Sequence, residues 1–213
     1  MIEFLAAQVC SLFKELWAKC RPESFELRAE IKELRRRHLA GQYNERIEYY
    51  TAREMSFANP EHILCMIVDA MTETSTSVPM QRRESKGLAA SKIRLKTQLV
   101  GALVHGPEGF YGYTVNGLKG ARTTVEVVHR TLMKLSKTRT VWPANFVLQL
   151  DNTTAENKNH TVMAYAAWLV ATGVFETVQV RFLMVGHTHE DIDGYFGLLR
   201  RFLMLQEKGK CDV

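Results

Sequence analysis

The 213-residue chain has little sulfur chemistry to offer. Its four cysteines, Cys10, Cys20, Cys65 and Cys211, are scattered and form no Cys-x-x-Cys pair. Neither a zinc knuckle nor a disulfide framework is expected, and a reducing, intracellular compartment is. Long apolar runs are missing too. The longest nearly apolar stretch, residues 162–175, falls short of the roughly 18 residues that a bilayer span needs, so no membrane association is expected. Glu3 stands where a signal peptide would carry positive charge. Internal repeats and low-complexity segments are absent, and no histidine follows His189. What remains is ordinary for one folded domain with an appendage: 46% apolar and 24% charged residues. The net charge of +5 and a pI near 9.0 lean toward an anionic partner, nucleic acid being the commonest.

The chain divides by texture near residue 60. Residues 1–60 read as a helical lead-in. Leu5, Val9, Leu12, Phe13, Leu16 and Trp17 recur at helical spacing. Pro22 breaks that helix and Ser24 is placed to cap a second, which Gly41 is expected to stop. A third helical segment covers about 45–56 before Pro60. Residues 61–213 read as an α/β domain. Ile63 to Val68 is a short apolar run ending in Asp69, the pattern of a strand buried on both faces. Strands follow at 93–105, 110–115, 146–150 and 177–185. Helices are expected from Thr123, whose spacing to Glu126 is that of a capping box, from about Glu156, and from about Asp191. The order is β-β-β-α-β-α-β-α behind a helical arm.

Acids fall at comparable points of that order. Asp69 ends the first strand, Asp151 ends the fourth, and Glu190, Asp191 and Asp193 open the last helix. Each also has a plain structural use, as a turn former, an Asx-turn, or a charge favoured at a helix amino terminus. Carboxylates at the ends of neighbouring strands can instead converge on one point and hold hard divalent cations. The stretch Val185-Gly186-His187-Thr188-His189-Glu190-Asp191-Ile192-Asp193 is dense in groups able to bind metal or carry protons.

With Ile67-Val68-Asp69, Leu150-Asp151-Asn152, Glu156-Asn157-Lys158-Asn159 and Gly186 to Asp193 with Phe196, the chain resembles the RNase H-like superfamily of DDE/DDD transposases and integrases. It is most similar to an integrase-like branch in eukaryotic mobile-element-like proteins. His38, Arg46 and Tyr50 also fit that branch's helical lead-in, and the likeness covers about residues 35–205. The resemblance implies an RNase H-like five-stranded mixed sheet flanked by helices. It also implies a polynucleotidyl transferase or nuclease acting on DNA phosphodiesters, and a nuclear location. Asp69, Asp151 and Asp193 would be its catalytic acids, holding two Mg²⁺ or Mn²⁺ ions, with Asp191 and Glu190 as further candidate ligands. Asn152, His187 and His189 would support the ligands or touch phosphate. The chain departs from the branch at Ala70-Met71-Thr72-Glu73, where relatives often carry Gly-Met-Asp-Gln. It is also expected to be truncated at its carboxyl end.

Other chemistries compete. A domesticated or decayed copy would bind nucleic acid or protein without cleaving. His187, His189 and Asp191 resemble the His-x-His-x-Asp of metallo-β-lactamase-type hydrolases, and Gly186-His187-Thr188-His189 the last motif of calcineurin-like phosphoesterases. Arg82, Arg83, Lys86 and Lys92, between the first two strands, and Lys158 are candidate DNA phosphate contacts. A homo-oligomer fits the transposase resemblance.

Overall fold

The computed structural model describes residues 6–21, 23–71, 76, 97–115, 120–182 and 191–206. Two helices open the chain, α1 (Ala6–Lys19) and α2 (Phe25–Ala58). The segments expected on either side of Gly41 are thus one helix of 34 residues. A glycine inside a helix costs about 1 kcal/mol relative to alanine. Here bonds around it offset that cost. The buried Gln42 amide meets His38 at 2.8 Å, one turn back across Gly41. Glu33 accepts from both Arg36 and Arg37, pairing two of the three consecutive arginines at 35–37. Ser24 occupies the N-cap but makes no side-chain cap bond.

The sheet follows. Its strands are β1 (Ile63–Ala70), β2 (Gln98–Val104), β3 (Gly109–Val115), β4 (Asn145–Leu150) and β5 (Thr177–Phe182). Helix α3 (Ala121–Leu135) lies between β3 and β4, α4 (His160–Ala171) between β4 and β5, and α5 (Asp191–Gln206) comes last. The spatial order is β3-β2-β1-β4-β5. β1, β2 and β3 are mutually antiparallel neighbours, while β4 and β5 run parallel to β1. This is the five-stranded mixed sheet flanked by helices that the resemblance implies.

The central position of β1 explains its composition. Ile63 through Val68 are all buried. Leu64, Met66 and Val68 meet Val128 and Leu132 of α3 and Val162 and Leu169 of α4. Cys65 and Ile67 face the other way, toward Tyr49 and Ala52 of α2 and Ile192 and Phe196 of α5. A strand covered on both faces has no place for a polar side chain until it leaves the core.

Two helix starts differ from expectation. The capping box at Thr123 does not form: α3 begins at Ala121, and Glu126 accepts from Arg130 one turn on at 2.5 Å. α4 begins at His160, not Glu156, because the Asn159 side chain accepts from the Thr161 and Val162 amides, both at 3.1 Å. That is a stronger cap than anything upstream offers. α4 ends ahead of Gly173, whose φ of 71° lets the chain turn while Val174 N–H returns to Leu169. Among the described residues, no helix is long and apolar enough to cross a membrane.

Helix α5 reaches the sheet through one missing side chain. Gly101 of β2 pairs with Asp69 of β1. A Cβ at Gly101 would come within 2.6 Å of the Phe110 ring and 2.9 Å of the Phe196 ring. Phe196 therefore lies directly on the β2 backbone. Phe110 stacks on Tyr195 at 5.2 Å and meets Phe196 edge-on at 6.0 Å. Both rings are hemmed in, so Gly101→Ala is expected to lower stability by about 1–3 kcal/mol through overpacking. Urea melts of the two proteins measure this; equal midpoints would refute the close-approach role of Gly101.

Candidate functional site

Asp69 and Asp151 owe their proximity to strand register. β1 and β4 are parallel neighbours in which Ile67 pairs with Gln149. Two residues further along each strand come Asp69 and Asp151, at the carboxyl ends where ligands collect in open α/β sheets. Both line a cavity of about 220 Å³ together with Gln98, Thr123, Thr124, Glu156 and Asn157. A water takes about 30 Å³ of liquid volume, so the space holds several.

Each carboxylate is fixed by its own loop. Asp69 Oδ1 accepts from the Ala70 amide at 2.8 Å. Asp151 Oδ1 accepts from the Thr153 hydroxyl at 2.8 Å and from the Asn157 amide nitrogen. Asn157 is buried, and its Oδ1 accepts from Thr124 of α3 at 2.8 Å. Asn157 thereby ties Asp151 to the helix across the cavity. Neither Asn157 nor Glu156 stands among the residues that sequence reasoning chose. Their signal was present in the Glu156-Asn157 pair of the motif, which the expectation of a helix start at Glu156 obscured.

The cavity is electrostatically crowded. Burial raises the Asp69 carboxyl to about 6, against a partial offset from the Ala70 N–H. Repulsion from Asp151, Asp193 and Glu156 adds to the rise. The charge of Asp193 therefore reaches Asp69 from the first turn of α5. Asp191 is engaged elsewhere. Its Oδ1 accepts from Tyr49 Oη at 2.7 Å, its Oδ2 accepts from Arg53 Nη1 at 3.2 Å, and His105 Nε2 lies 3.6 Å from Oδ2. Two residues along a helix turn through about 200°, so the two acids leave α5 on nearly opposite sides.

The other expected residues divide as follows. Asn152 Oδ1 is buried and has no hydrogen-bond partner among the described residues. Lys158 is exposed, its ammonium 5.8 Å from the Phe182 ring at the end of β5. Arg82, Arg83, Lys86, Lys92, His187, His189 and Glu190 lie outside the described residues. Among the described residues, no three His, Cys, Asp or Glu side chains are close enough to hold a metal ion as they stand.

A carboxyl raised by the fold takes up a proton that the unfolded chain does not bind. The folded state is then favoured at low pH and loses that advantage as pH climbs from the ordinary 3.8 through about 6. In chelator, Asp69→Asn is expected to match the wild type near pH 4 and to melt several degrees higher at pH 7.5. The buried His105, held down to about 4 chiefly by loss of solvation, gives the opposite slope in both proteins and cancels in the difference. A melting difference that stays constant across this range would show that Asp69 is not so perturbed.

Comparison with known proteins adds the following. No curated protein matches the chain. The simian T-cell lymphotropic virus intasome in complex with PP2A regulatory subunit B56 gamma contains a similar chain, with 10% identity and a TM-score of 0.41 over 72% of this chain. The Mos1 transposase paired-end complex with left transposon end is similar over 95% of this chain, with 12% identity and a TM-score of 0.44. This chain spans 44% and 66% of the lengths of those two chains. A family model matches residues 88–208, a span that includes Asp151, Asn157 and Asp193 but not Asp69. The chain belongs to that family, described as Domain of unknown function (DUF7869).

Proposed function

We propose that the cavity at the ends of β1 and β4 is a divalent-cation site at which the protein cuts or joins DNA phosphodiesters, as a transposon-derived polynucleotidyl transferase or nuclease. The observation that carries this is the sharing of one cavity by carboxylates from β1 and from the segment after β4: Asp69, Asp151 and Glu156 all line it, and Asp193, in the first turn of α5, adds to the rise of Asp69. Repelling carboxylates in a partly buried space are a poor way to stabilise a fold and a good way to hold a cation.

The donor set fits Mg²⁺ or Mn²⁺. The lining offers carboxylate, hydroxyl and amide oxygens. Soft ligands are wanting: burial drives the Cys65 thiol up to about 12, far from the thiolate that a soft metal needs. Asp69, Asp151 and Asp193 would be the ligands. What divalent cations supply at such a site is Lewis acidity toward the attacking and leaving oxygens of a phosphodiester.

The protein's own groups do the holding. Ala70 N–H aims Asp69, and Thr153 and Asn157 aim Asp151. Asp191, with both oxygens engaged by Tyr49 and Arg53, is better suited to anchoring α5 than to a His-x-His-x-Asp metal site. The net charge of +5 favours DNA, and Arg82, Arg83, Lys86, Lys92 and Lys158 are the proposed phosphate contacts. A second reading, a nucleic-acid- or protein-binding copy without turnover, has one observation in its favour: no three described ligands stand at metal-holding separation.

Incubation of supercoiled and oligonucleotide DNA with Mg²⁺ or Mn²⁺ separates the two. Nicking or strand transfer that falls at least about 100-fold in Asp151→Asn is expected. Equal activity in wild type and variant would remove the catalytic assignment, and tight DNA binding without turnover in either would favour the second reading.

A further inference from the structure

We propose that Tyr49 and His105 are positioning residues for the cation site, acting through Asp191 to fix the first turn of α5 and hence Asp193. The inference rests on the cation-site reading given above.

Three distant parts of the chain meet at one carboxylate. Tyr49 and Arg53 sit one turn apart on α2, His105 follows β2, and Asp191 is the first residue of α5. Tyr49 and Asp191 are 142 positions apart, Arg53 and Asp191 138, and Tyr49 and His105 56. Tyr49 is fully buried and His105 nearly so. The Tyr49 hydroxyl lies 2.8 Å from His105 Nε2 and 2.7 Å from Asp191 Oδ1.

The hydroxyl has one proton, and a carboxylate can only accept. Tyr49 therefore donates to Asp191, and His105 must donate to Tyr49 from Nε2–H. The bonds run in one direction, from His105 through Tyr49 to Asp191. His105 is itself fixed to the sheet, since its backbone N–H donates to Cys65 of β1 at 2.8 Å. Phe57 of α2 packs near its ring at 6.2 Å.

The sheet thus sets His105, His105 sets Tyr49, and Tyr49 with Arg53 sets the start of α5. The apolar half of the same clamp is Ile192 and Phe196, both buried against the sheet. Asp193 follows Ile192 on the side of the helix turned away from Asp191. Its lateral position then depends on how firmly the first turn is held. A buried, fully directed polar chain fixes geometry better than apolar contact alone. Groups bonded directly to a metal ligand change metal affinity by about 10–100-fold when removed; Tyr49 reaches Asp193 through one turn of helix, so the lower end of that range is expected.

The test uses the full chain and Mn²⁺ alone as probe, with affinity measured by titration calorimetry at 25 °C and thermal melts run in chelator. Tyr49→Phe keeps the buried ring and removes only the hydroxyl. It is expected to weaken Mn²⁺ binding about tenfold at a temperature where the protein is fully folded. Asp191→Ala should weaken it at least as much, and Asp191→Asn, which keeps an oxygen for Tyr49, less. Tyr43→Phe, on the exposed face of α2, should bind as wild type does. A purely structural role would lower the melting temperature and leave the affinity of the folded protein unchanged. Affinities for Tyr49→Phe and Asp191→Ala within twofold of wild type, beside weak binding by Asp193→Asn, would overturn the positioning role and leave the cation site standing. No Mn²⁺ binding by the wild type would overturn both. Should Tyr49→Phe fail to fold, the graded order of Asp191→Ala and Asp191→Asn decides the question alone.

Discussion

Burial of β1 on both faces is the constraint from which the rest follows. Six consecutive apolar side chains, Ile63 to Val68, alternate between two cores. One core requires α3 and α4, the other α2 and α5. The first ionisable side chain after that run, Asp69, is still half inside. It can be charged at neutral pH only at the expense of the protein's own stability, and its neighbours Asp151, Asp193 and Glu156 raise that expense. Sites that carry such unfavourable charge are commonly where function overrides stability.

Asp151 and the start of α5 are held in different ways. On the Asp151 side the supports are local: Thr153 and Asn157 lie within six residues, and Thr124 of α3 is the one distant member. At the start of α5 the supports are remote: Asp191 is held by Tyr49 and Arg53 of α2, and Tyr49 in turn by His105 after β2. Gly101 belongs to the second set. It removes a side chain opposite Asp69 so that Phe196 can lie where a Cβ would be. The close approach at Gly101 thus adds to the contacts that Ile192 and Phe196 make with β1.

Much of this was legible in the sequence. The succession of strands along the chain follows from where apolar runs begin and end, and Asp69 and Asp151 are visible because each terminates such a run. Helix boundaries were less legible, since several residues compete for them. Gly41 reads as a stop, but the His38–Gln42 bond carries the helix across it. Thr123 and Glu126 read as a capping box, but Arg130 takes Glu126. Glu156 reads as a helix start, but Asn159 caps later and leaves Asn157 free to orient Asp151. The Tyr49–His105–Asp191 chain could not be read at all. Its members share no spacing, and only the fold brings them together. Without it, Asp191 and Asp193 look like equal candidates for one role.

Helix α2 has a mechanical consequence. It meets the sheet through Tyr49, Ala52 and Ser56, near its carboxyl end, while its amino-terminal half pairs with α1. At 1.5 Å per residue, the 24 positions from Phe25 to Tyr49 make an arm of about 36 Å. A tilt of about 10° at Tyr49 would carry the far end through about 6 Å. Tyr49, whose hydroxyl holds Asp191, lies at the inner end of that arm, and with Arg53 it ties the sheet end of α2 to the first turn of α5.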